Sequence, residues 1–159
     1  MARYAEGASV PAERSQQEIT AMLRRRGATT VVTGISDDTA MVAFAMCGRQ
    51  IRFLLPMPDP AYPEFHTTGT GRRRDPASAR VAWEAETRRR WRALVLVVKA
   101  KLEVSDSGIT SFESEWLAYT VLPDGRTVAE HTAAPIAQAY ATGQVQDLLP
   151  KALDRGEPR

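Results

Sequence analysis

Ile19, Met22 and Leu23 recur at helical spacing between Pro11 and Gly27, which predicts a first helix starting near Pro11 or Ala12 and stopping at Gly27. Arg24, Arg25 and Arg26 fall in its last turn, where the helix dipole favours cations; a contribution to an anion-binding face is the alternative. The period then changes. A β-branched run over residues 29–33 predicts a strand, and residues 39–46 and 50–55 predict a hairpin around Cys47, Gly48 and Arg49. Val42, Phe44 and Met46 share one parity, as do Ile51, Phe53 and Leu55, with Arg52 on the face opposite the second set. Pro56 ends the pairing because it has no amide to donate.

Residues 57–76 are rich in Pro, Gly and Thr. They read as an extended, flexible connection whose mobile tip carries Arg72, Arg73 and Arg74. A long central helix follows over residues 80–102, with Pro76 as an earlier possible start. Trp83, Trp91, Leu94, Val98 and Leu102 share one side, and Arg88, Arg92 and Lys99 fill a narrow arc on another with Arg89 at its edge. The stretch 94–98 is apolar nearly all round and is expected to be covered on several sides.

Ser107 and Gly108 break this pattern. Thr110 to Glu113 and Thr127 to Glu130 both match a capping box, predicting two shorter C-terminal helices. The first also reads as a strand, and the second ends at Gly143. The expected architecture is α+β: an N-terminal helix, a three-stranded antiparallel β-meander, a long central helix and the two shorter helices. It forms a single domain over residues 1–150 with a frayed tail at 151–159.

Composition adds limits. The single cysteine, Cys47, allows no internal disulfide and reads as a small buried hydrophobe beside a turn. No apolar run reaches the ~18 residues of a membrane span and the N-terminus lacks a signal-peptide pattern, so a cytoplasmic location is expected, with no membrane partner. Charge is segregated. Residues 72–101 hold 10 Arg or Lys against 3 acids, and residues 102–159 hold 4 against 9. Either an anionic partner meets the middle, or the two zones pair with each other or between subunits.

Motifs for chemistry are scarce. His66 and His131 form no metal-binding pair and read as surface residues, and one cysteine cannot build a structural zinc site. There is no nucleophile elbow, P-loop or dinucleotide fingerprint. No cofactor is expected, and a non-enzymatic role is favoured. Glu113, Glu115, Asp124 and Glu130 are the test case for a divalent-metal nuclease, although capping and a Pro-Asp-Gly turn account for three of them. The remaining signal is electrostatic: Arg49, Arg52, Arg72, Arg73, Arg74, Arg88, Arg89, Arg92 and Lys99 are the candidate nucleic-acid contacts. Tyr4, Tyr62 and Phe65 are candidate stacking surfaces, which favours single-stranded DNA.

Several segments are familiar as a set: Arg3 to Gly7; Gly48 to Phe53 with Leu55 to Pro58; Arg90 to Leu94 running into Lys99 to Glu103; and Gly108 to Thr110 with Phe112 and Glu113, then Leu122 to Val128. Together they resemble a family of small phage and prophage proteins with no assigned activity. The resemblance implies a biological setting and no mechanism. Three functions fit the sequence: an accessory protein of phage recombination or replication that binds nucleic acid; a protein-interaction module that meets a host factor or a second copy of itself; and a metal-dependent nuclease.

Overall fold

The alternation of apolar residues in β2 (Thr39–Met46) and β3 (Arg49–Pro56) produces a hairpin in the computed structural model of the chain, with Val42 opposite Phe53 and Phe44 opposite Ile51. Cys47 and Gly48 form its two-residue turn with positive φ at both positions, 51° and 69°, the backbone whose twist matches the strands. That turn points Cys47 into solvent, correcting its expected burial. Pro56 is the last rung of the ladder, opposite Thr39. β1 (Val31–Ser36) pairs antiparallel with β2 and completes the order β1-β2-β3; it starts and ends later than its β-branched run suggests. Residues 3–36 and 38–149 are described, residues 3–11 by backbone alone. The expected tail at 151–159, Asp37 and the Tyr4 side chain lie outside that range.

Short strands need cover on one face. Here α1 (Arg3–Arg25) and α3 (Pro76–Asp106) supply it. α1 begins well before Pro11: a proline removes one backbone donor, and the helix runs through it. Asp75 caps α3 by accepting from the Ser78 amide at 2.8 Å, with Pro76 in the first turn. At 31 residues α3 is about 46 Å long. Its Trp91, Leu94, Val95, Val98 and Leu102 form one core with Ile19 and Leu23 of α1 and Val42, Phe44, Ile51 and Phe53 of the sheet. The expected cover of the 94–98 stretch is only partial, since Leu96 and Val97 are 56% and 41% exposed. α1 and the sheet lie to one side of α3 and leave its outer stripe to water.

The connection at 57–76 is tied down rather than extended. Pro58 and Phe65 are buried, and a short helix α2 (Pro63–His66) forms within it. The Trp83 indole donates to the Pro58 carbonyl at 2.7 Å, and Arg90 donates to that of Pro56 at 2.6 Å.

The segment with two readings is helical: α4 (Phe112–Trp116) and then a single 3-10 turn, Leu117–Tyr119. Its cap is Ser111, which accepts from the Ser114 amide, so the expected Thr110 to Glu113 box is shifted by one residue. The shift carries Trp116 beneath the sheet. Its ring stands edge-on to Phe44 and Phe53 at 5.2 and 5.6 Å, while Tyr119 stacks on Phe53 at 4.0 Å. The second box forms as expected: Thr127 accepts from the Glu130 amide, and Glu130 accepts from that of Thr127. It opens α5 (Val128–Thr142), which continues through Pro135 to a left-handed Gly143. The architecture is α+β.

Trp116 is fully buried and, among the described residues after α3, is the one hydrophobic side chain of the buried core. Trp116→Ala is expected to cost about 3–5 kcal/mol in a denaturant melt. A loss below about 1 kcal/mol would show that this aromatic cluster does not anchor the segment.

Candidate nucleic-acid interface

Because α1 and α3 lie on the same sheet face, a seam runs between them. Glu18 of α1 accepts from Arg92 of α3 at 2.8 Å, and Arg26, just past the end of α1, pairs with Asp106 at the end of α3. The two helices therefore run in the same sense. Residues four before and seven after a position share its helical face. On the stripe of Glu18 these are Arg14 and Arg25, and on the stripe of Arg92 they are Arg88 and Lys99. All four are exposed, and Arg88 and Lys99 have no ion-pair partner among the described residues. From Arg88 to Lys99 the basic rim extends about 16 Å.

The nine cations expected to act together divide into separate places. Arg88, Arg92 and Lys99 are on the seam. Arg89 points away from it: with Arg90 it grips Glu86, at 2.7 and 2.9 Å, beside a shallow groove shared with Arg74. Arg74 is fixed by donating from Nη1 to the carbonyls of Glu64 and Thr67 at 2.9 and 2.8 Å. Arg72 and Arg73 are exposed at the neighbouring turn. Arg49 sits beside the β-hairpin turn, where Nη1 donates to the Gly48 carbonyl at 3.3 Å. Arg52 has the parity opposite to Ile51 and Phe53, so the sheet stands between it and α3; it pairs with Glu130 at 2.8 Å. Among the expected stacking groups, Phe65 is buried and Tyr62 is half exposed.

Arg14 and Glu18 are members of the seam that sequence reasoning missed, and Arg25 entered only as the alternative reading of the last turn of the first helix. Their common stripe on the first helix was available as a signal. Which helix faces that stripe is a tertiary fact.

Three of the four C-terminal acids considered as metal ligands, Glu115, Asp124 and Glu130, have another partner. Glu115 receives Lys101 at 2.8 Å. Glu130 accepts from the Thr127 amide and pairs with Arg52, and these hold its carboxyl below the ordinary range. Asp124 is likewise lowered, first by the Arg126 amide and then by His131. The His131 side chain is only 9% exposed against Asp124, which corrects its expected place on the surface. Among the described residues no three of His, Cys, Asp and Glu are grouped to hold a metal ion, and no helix is long and apolar enough to cross a membrane.

No family model, curated protein or solved structure matches the chain.

The Glu86 site gives a pH signature. The hydrogen bond from Arg89 chiefly, with Arg90 assisting against a desolvation cost, lowers its pKa from 4.5 to about 2. A depressed carboxyl stabilises the fold above its unfolded pKa and loses that contribution as pH falls through the folded one. Glu86→Gln is expected to cost about 1 kcal/mol at neutral pH. Melts of the variant and the parent should converge as pH falls from 4.5 towards about 2; a constant offset across that window would rule out the ion pair as the cause.

Proposed function

We propose that the protein is a non-enzymatic accessory protein that binds the phosphate backbone of nucleic acid along the α1–α3 seam. The observation that carries this is the seam itself. Arg14 and Arg25 on one helix and Arg88 and Lys99 on the other are exposed; Glu18 between them is already occupied by Arg92, and the acids beyond Lys99, Glu103 and Asp106, face Arg26. Two parallel rims of cations can follow a line of phosphates, each of which gives up counterions when it is bound. The seam is a row of charges set along two helix faces, and contacts from it to phosphate would be independent of sequence. Neither Tyr62 nor Phe65 lies on it, so neither adds a preference for single strands, and single strands and duplex are expected to bind through the same phosphate contacts. The resemblance to phage and prophage proteins would place such binding in recombination or replication.

Binding of single-stranded and duplex oligonucleotides across a salt series tests this. Affinity should fall as salt rises, and Arg88→Glu with Lys99→Glu should weaken it by more than about 10-fold while lowering the salt slope by about 1 for each contact removed. Arg72→Gln with Arg73→Gln, away from the seam, should change little, and Glu18→Gln should tighten binding by releasing Arg92. Absent binding, or binding indifferent to the seam reversals, would sink the proposal.

A further inference from the structure

α5 has no buried residue over its 15 positions. Its half-buried side is Val128, His131, Thr132, Pro135 and Ala139. The opposite stripe is also apolar: Ala129, Ala133, Ile136, Ala137 and Tyr140 recur at helical spacing, with Ile136 at 41% and Tyr140 at 89% exposed. A helix apolar on both sides belongs inside a structure, and an isolated helix of this length is marginal in water.

The sheet has the complementary defect. Its inner face is covered by α1 and α3. A meander with one face in water normally carries polar residues there, yet the outer positions include Val32, Met41, Ala43, Ala45 and Leu54. Val32 and Leu54 are 45% and 51% exposed. The one charged side chain at the outer positions, Arg52, is neutralised by Glu130 at the start of α5. That ion pair sets the root of α5 at the rim of the outer face, while the apolar stripe of the helix faces away from its own chain.

We propose that the occupant is a second copy of this chain, related by a two-fold axis, with α5 of each copy lying across the outer sheet face of the other. Electrostatics permit it: beyond its first turn α5 has no charged side chain, and the face it would cover holds only the neutralised Arg52, so docking leaves no charge unpaired. Size permits it as well. A 15-residue helix is about 22 Å long and spans a three-stranded sheet, and the two-fold arrangement doubles that contact towards the roughly 1,600 Å² of a standard stable interface. An isologous two-fold pairing uses both unpartnered surfaces and closes on itself. It is independent of the nucleic-acid proposal, since the seam lies on the helix side of the sheet.

Sedimentation equilibrium on the full chain tests it. The parent should be a dimer, and Tyr140→Asp and Leu54→Asp should each weaken association by at least about 100-fold, because each places a carboxylate in an apolar contact. Both side chains are exposed within one chain, so helical circular dichroism should be unchanged; Ile136→Glu and Val32→Glu provide a second pair should either variant misfold. Mixing Tyr140→Asp with Leu54→Asp should restore a heterodimer, because one helix–sheet contact then joins two intact surfaces. A monomeric parent, a Leu54→Asp protein that remains a full-strength dimer, or a mixture with no heterodimer would overturn the proposal.

Discussion

Burial of the inner face of the meander is the interaction on which the rest of this structure depends. Val42, Phe44, Ile51 and Phe53 are closed off by Ile19 and Leu23 of α1, by the Trp91 to Leu102 face of α3, and by Trp116. A three-stranded sheet is not stable without such cover, and two helices side by side are needed to span it. Once both lie on one face, their contact is fixed, and with it the opposition of Glu18 and Arg92. The basic seam is a consequence of core packing.

The same constraint sorts the charges. The basic middle of the chain does not simply neutralise the acidic C-terminal third. Lys101 with Glu115 joins the two zones, and Arg80, Arg89 and Arg90 find acids within α3 itself. Arg52 and Arg26, from outside the middle, take up Glu130 and Asp106. Exposed surface pairs of this kind contribute little to stability, so their main effect is to remove particular cations from use. What they leave is concentrated at the seam and at the Arg72–Arg73 turn.

Patterns confined to one element were legible in the sequence. The parity of Val42, Phe44, Ile51 and Phe53 defined the inner face, and the spacing of Trp91, Leu94, Val98 and Leu102 defined the buried side of α3. Thr127 and Glu130 also announced their capping box. What failed depended on another part of the fold. Cys47 follows the hairpin geometry rather than its own hydrophobicity. Leu96 and Val97 look like core residues by composition, but no element comes to cover them. The 57–76 connection looks loose until Trp83 and Arg90, from a different element, hold its carbonyls. The candidate site failed in the same way: nine cations were gathered by residue type, and a sheet and a helix axis separate them. The wheel placed Arg88, Arg92 and Lys99 correctly on α3, but α1 was invisible as their partner.

The two surfaces singled out here occupy opposite sides of one sheet, and that arrangement has a physical consequence. Cations are kept on the side of the helices, where long side chains reach water at little cost. The bare sheet face and α5 instead carry exposed apolar residues such as Val32, Leu54, Ile136 and Tyr140, where a single unpaired charge would oppose association. A two-fold assembly through the sheet side leaves both seams facing outward. Two weak, sequence-independent phosphate sites would then act on one strand at the effective concentration set by their separation, and overall affinity would exceed that of either site without any new contact. Self-association and anion binding would therefore be additive properties of this fold, each built from the residues the other does not use.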